Sequence, residues 1–173
     1  MNLTEIHIAS RKIFNEFTDG CRIIPDEKFF FQPADKWSVA QNVDHLIRSM
    51  KPTRLVYILP KFIVRLYTGT PNRPSRSYEA LVEKYKTKLA AGGRATGIFI
   101  PKPVTGISKD ELLARWDMCC KNYLQALAKN RDEQLDRYLA PHPLLGKITL
   151  RELCYFTIYH TAHHLNIIKQ RNQ

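Results

Sequence analysis

The chain contains no run of about eighteen consecutive apolar residues, which excludes a transmembrane helix from the reading. Its opening stretch, MNLTEIHIASRKIFNEF, carries acidic residues and helical spacing without a continuous apolar core, so no signal peptide is expected. Cysteine is scarce: Cys21, Cys119, Cys120 and Cys154 follow no CxxC or other metal-type spacing, and two of them are adjacent. A thiolate metal site and a disulfide framework are both disfavoured, leaving small buried hydrophobes in a reduced, cytoplasmic protein. Repeats and strand-rich segments are also missing. Acid is lacking in one region above all: residues 48–109 hold 13 basic and 2 acidic side chains, net +11, against −2 for residues 1–47 and +2 for residues 110–173. The whole formal excess of +11 therefore sits in the middle third. Such a patch can attract nucleic acid, an anionic membrane surface or an anionic substrate, and a merely solvated connection would look the same.

What is present is helix. Four small polar residues are each followed three positions later by Glu or Gln, the reciprocal pattern that caps a helix N-terminus: Asn2 with Glu5, Ser38 with Gln41, Ser108 with Glu111, and Thr149 with Glu152. The predicted helices run over about 3–18, 38–66, 109–129 and 150–171, with a shorter one around 78–91. Gly20 stands where the first should stop, and Pro52 and Pro60 should kink or break the second. About forty residues, from GTPNRPSRS to GGRATGIFIPKPVTGI, join the second and third helices, and GIFIP within them can be extended. The expected fold is all-α: residues 1–173 as one four-helix-bundle domain with a long crossover connection, its basic segment at about 69–107.

The last helix, LRELCYFTIYHTAHHLNII, puts three histidines in a turn and a half. Leu150, Leu153, Thr157, His160, His164 and Ile167 recur at spacings of three and four, so His160 and His164 share the seam, about 40° apart on the wheel. An i, i+4 pair can place two imidazole nitrogens on one metal ion. Two neutral, hydrogen-bonded core histidines would show the same pattern. His163 lies roughly 60–100° from the pair, at the rim. Of the others, His7 is in the first turns of helix one and His142 in the APHPLLG turn. His45 lies on helix two with Ser38, Gln41, Asn42 and Ser49, a strip that reads equally as solvent face or as the polar edge of a pocket.

WSVAQNVDHL, followed about a hundred residues later by HPLLGKITLRELCYFTIYHTAHHLNIIK, resembles the DinB-like (YfiT-like) metal-binding superfamily. The shared features are a Trp-Ser helix start with His seven residues after the Ser, and a P-x-x-G-x-x-T-x-x-E start leading to H-x-x-x-H. The resemblance implies a four-helix bundle, commonly dimeric, with a divalent ion (zinc or nickel) held by His45, His160 and His164. It places His163 outside the ligand set and matches nothing in residues 69–107.

Three imidazoles leave a tetrahedral ion one open position, the arrangement of catalytic sites. There the resemblance implies, for some relatives, a thiol S-transferase using a low-molecular-weight thiol such as bacillithiol or mycothiol, in detoxification or stress resistance. The alternative is a hydrolase activating water, for which no general base stands out, since Glu152 belongs to a capping box. A third reading is a non-enzymatic binding protein acting through the basic centre. RLVYILPKFIVRLY interleaves Arg54, Lys61 and Arg65 with Tyr57, Phe62 and Tyr67, which fits the packed half of a helix or a homodimer interface better than membrane-surface contact, and no nucleic-acid motif is present. Arg48, three residues after His45, is the expected anchor for an anionic substrate or thiol.

Overall fold

The computed structural model describes residues 1–171. Eight helices and one short hairpin are present among them: α1 (Leu3–Arg22), α2 (Asp26–Phe30), α3 (Val39–Ile58), α4 (Lys61–Thr68), α5 (Tyr78–Ala90), α6 (Lys109–Leu127), α7 (Gln134–Arg137), β1 (Leu139–His142), β2 (Gly146–Thr149) and α8 (Leu150–Arg171). The four long helices close a ring in which α1 and α3 each pack on both α6 and α8. This is the expected all-α bundle. Its core is aromatic: Trp116 of α6 takes Phe14 and Phe17 of α1 at centroid distances of 5.6 and 5.1 Å, and Tyr123 meets Phe14 and Tyr57 edge-on.

Local chemistry sets the helix ends. All four capping boxes form, and each satisfies two N–H groups that a helix N-terminus would otherwise leave bare. Two expected boundaries move. Helix α1 runs through Gly20 to Arg22, because this glycine marks a close approach and not a stop: a Cβ there would lie 2.7 Å from the Leu165 side chain of α8. The predicted 38–66 helix divides at Leu59, whose extended backbone (ψ 143°) is what a following proline favours, while Pro52 is carried inside α3. A 3₁₀ turn at Gly97–Phe99 packs on α3, where an extended piece was expected.

The antiparallel hairpin β1–β2, unforeseen in the sequence, pairs Leu139 with Thr149 and His142 with Gly146 and delivers the chain into α8. In the crossover, α5 lies on α8. Three of the four cysteines are buried and all are free. Among the described residues no helix is long and apolar enough to cross a membrane.

Candidate metal centre

His160 and His164 come from α8 one turn apart, as their spacing requires, and His45 comes from the facing side of α3. All three are buried, each about 5% exposed. The strip of Ser38, Gln41, Asn42 and His45 is therefore interior, and its solvent-face reading is wrong. Ser38 and Gln41 are buried through the capping box they share, while Asn42 and His45 are turned toward α8.

Two of the three imidazoles have their proton assigned by their neighbours. His45 Nδ1 lies 2.7 Å from the Phe99 carbonyl oxygen, which can only accept, so Nδ1 carries the hydrogen and Nε2 is a bare lone pair. His164 Nδ1 lies 2.7 Å from Asn42 Oδ1. The orientation of that amide follows from its other end, where Asn42 Nδ2 donates to the Ser38 carbonyl at 2.7 Å. His164 Nε2 is thus bare as well. Both bare nitrogens face His160 Nε2, at 3.0 and 3.1 Å. A neutral His160 can donate to only one of them, so at least one lone pair in this corner has no hydrogen to accept.

A cation satisfies all three at once. The candidate ligand atoms of His45, His160 and His164 lie within 4.8 Å of one another and can hold a metal ion. Nitrogens on a tetrahedral ion at about 2.0–2.1 Å stand roughly 3.3 Å apart, close to the 3.0 and 3.1 Å that separate His160 Nε2 from the other two. The Phe99 carbonyl and the Asn42 amide are the outer partners such ligands ordinarily have. Burial lowers the pKa of all three rings, those of His160 and His164 well below the usual range, with the neighbouring imidazoles adding repulsion. The rings are therefore neutral near pH 7, as coordination needs.

Trp37 covers the cluster. Its ring is parallel to that of His164, within 8° at 6.3 Å, and lies 4.9 Å from that of His45. The Trp-Ser start of α3 thus supplies a wall and a cap side by side. The cluster opens on a cavity of about 560 Å³ whose lining is mainly apolar, with Val56, Leu89, Phe156 and Ile167 among its residues. His163 lines the cavity but is not part of the cluster; its ring stacks on Tyr159.

Arg48 does not line the cavity. Its guanidinium is taken up by Asp44, one turn back, and by the Ile98 carbonyl at 3.5 Å. Glu152 is also elsewhere. It is fully enclosed, with Arg73 binding both carboxylate oxygens (2.7 and 2.9 Å) and with the Arg76 backbone and side chain and the Thr149 N–H as further donors. Part of the basic excess is therefore neutralised within the fold: Arg73 and Arg76, half-buried, tie the crossover to the start of α8.

Sequence reasoning missed Asn42, the Phe99 carbonyl and His142. Asn42 had a signal, since it stands one turn before a suspected ligand. A backbone carbonyl has none.

A helical bundle that gathers three neutral imidazoles at the wall of a cavity defines a class of helical protein able to bind a metal ion. The DinB superfamily profile matches residues 8–168, nearly the whole chain, and the chain belongs to that superfamily. No curated protein matches it.

Proposed function

We propose that the chain is a metal-dependent enzyme that joins a low-molecular-weight thiol to an electrophilic small molecule, with His45, His160 and His164 holding the ion. The observation that carries this reading is the convergence of three Nε2 atoms on one corner of a largely apolar cavity with no carboxylate in their cluster. A divalent ion such as zinc or nickel in that corner supplies a Lewis-acid position at which a thiol or a water loses its proton near neutral pH. The chain's own residues do the rest. Asn42 and Phe99 hold two rings in the tautomer that presents Nε2, and Trp37 and Phe156 wall the corner.

Hydrolysis at the same corner needs a general base to manage the proton of water. Among the described residues the cavity's single carboxylate is Asp35, Glu152 is already fully engaged by two arginines, and the imidazole of His163, stacked on Tyr159, is the remaining candidate base. A thiol, already more acidic than water, has less need of a base, which favours transfer.

The test is conjugation of a thiol-reactive fluorogenic electrophile by untagged protein loaded with zinc or nickel, run across a panel of low-molecular-weight thiols. Thiol-dependent turnover should vanish with a chelator and return with metal. Turnover of esters or amides without any thiol would favour the hydrolase. We further propose a homodimer through α4, where Phe62, Leu66 and Tyr67 are 73–80% exposed. Sedimentation at micromolar concentration should show a dimer that Leu66→Glu converts to monomer.

A further inference from the structure

His142 belongs to the cavity wall but to no part of the three-imidazole cluster. It ends β1, and its Nδ1 accepts the backbone N–H groups of Leu144 and Leu145, each at 3.2 Å. A nitrogen that accepts two amide hydrogens carries none, so the neutral ring has its proton on Nε2. No hydrogen-bond partner for Nε2 is present among the described residues. The polar side-chain atoms sealed in the interior without a partner belong to Ser10, Trp116, Tyr123 and Asn130. Nε2 of His142 is not one of them, so it is accessible, and its ring lines the cavity.

Phe156 connects this donor to the metal centre. Its ring meets His142 edge-on at 4.2 Å and stacks on His160 at 4.7 Å, within 23° of parallel. A molecule held at His142 can therefore lie along Phe156 with its far end at the imidazoles. The charge around the cavity is mainly positive: among the described residues Lys36, Arg94 and Arg171 line it against the single carboxylate of Asp35.

Arg94 lines the same cavity from the turn that follows α5, and the preceding Gly93 brings this turn close to the hairpin: a Cβ on Gly93 would come within 3.2 Å of the Leu144 side chain, and its 2.7 Å approach to the Lys88 carbonyl oxygen keeps the position glycine. One terminal nitrogen of Arg94 is engaged by the Leu89 and Gly93 carbonyls, which leaves the other for a ligand.

We propose that His142 Nε2–H and Arg94 form an acceptor-binding subsite that takes the carboxylate of an otherwise apolar substrate, with Phe156 carrying the apolar body toward the imidazoles. This rests on the cavity being the substrate site of the proposed enzyme. An N–H donor and an arginine lining one cavity suit a carboxylate, whose two oxygens accept and whose charge the guanidinium balances.

Calorimetric titration with 4-phenylbutyrate and its neutral counterpart 4-phenylbutan-1-ol tests the proposal, on both metal-free and zinc-loaded protein. The metal-free protein should bind the carboxylate at least tenfold more tightly than the alcohol. Arg94→Gln, at an exposed position, should cut that preference to threefold or less, and His142→Phe should weaken both probes. Equal binding of the two probes by the parent protein, no binding of either at millimolar concentration, or an undiminished preference in Arg94→Gln would each overturn the proposal. Should His142→Phe fail to fold, the long-range ¹H–¹⁵N imidazole spectrum of the parent protein decides the same point. It should show a pyridine-type Nδ1, and an Nε2 signal that moves when 4-phenylbutyrate is added; the opposite tautomer or a static signal would overturn the assignment. Because the metal-free arm needs no ion, its failure is separate from failure of the metal-dependent reading, which metal content reports.

Discussion

Removing the Asn42 side chain should loosen the metal while leaving all three ligands in place. Asn42 is 2% exposed, and its Oδ1 accepts the His164 Nδ1 hydrogen at 2.7 Å while its Nδ2 donates to the Ser38 carbonyl. In Asn42→Ala the His164 ring loses the bond that turns Nε2 toward the site, and its buried N–H is left without a partner. Losing such an outer partner typically costs about 10–100-fold in metal affinity, equivalent to roughly 1.4–2.7 kcal/mol. The metal-free fold should lose about 1–3 kcal/mol in addition, from the stranded donor. Asn42→Asp keeps an acceptor at the same place and adds charge, so it should hold metal within about threefold of the parent or more tightly. Competition against a chromophoric chelator gives the affinities, and denaturant unfolding of metal-free protein gives the stability. Unchanged affinity in Asn42→Ala would refute the assigned tautomer, and with it the geometry of the corner.

Glu152→Ala should destabilise the fold by about 3 kcal/mol, at the low end for a broken buried ion pair because Arg73 and Arg76 are each about 30% exposed; a shift in denaturant midpoint worth under 1 kcal/mol would contradict this. Stability of the metal-free protein should fall as the pH drops below about 6.5. His45, His142, His160 and His164 all have lowered pKa values through burial, so the unfolded chain takes up protons that the native state does not. His142 alone, pushed down to about 4, should contribute a loss approaching 3 kcal/mol between pH 6.5 and 4. A flat unfolding free energy between pH 7 and 5 would show that these rings are open to water. Gly20→Ala should cost about 1–3 kcal/mol by displacing the buried Leu165 side chain, offset by about 0.5–1 kcal/mol of helix propensity, for a net loss of about 0–2 kcal/mol read as a melting temperature that does not rise.

The bundle was legible because its signals are local. Each capping box is a pair of residues three apart, and His160 and His164 announce a shared face by their own spacing. His45 was reached by resemblance alone, since its neighbours Ser38, Gln41 and Asn42 are polar and a helical wheel cannot tell a wet face from one buried by hydrogen bonds. What could not be read depends on distant partners. The Phe99 carbonyl that holds His45 lies fifty-four residues away and leaves no side-chain trace. Arg73 and Arg76 looked like part of a free basic patch because their partner, Glu152, lies in another helix and had an evident task as a cap. The role of Gly20, expected as a helix stop, and that of Gly93 show only in what a Cβ would strike, Leu165 in one case and Lys88 in the other.

The central claim is that His45, on one helix, completes a site with His160 and His164 on another. The direct test is elemental analysis of untagged protein and of its single histidine variants after reconstitution with zinc. The parent protein should hold about one ion per chain. His45→Ala, His160→Ala and His164→Ala should each lose tight binding, and His163→Ala should keep it. Full occupancy in His45→Ala, with loss in His163→Ala, would contradict the account and leave a local site on α8 that owes nothing to α3.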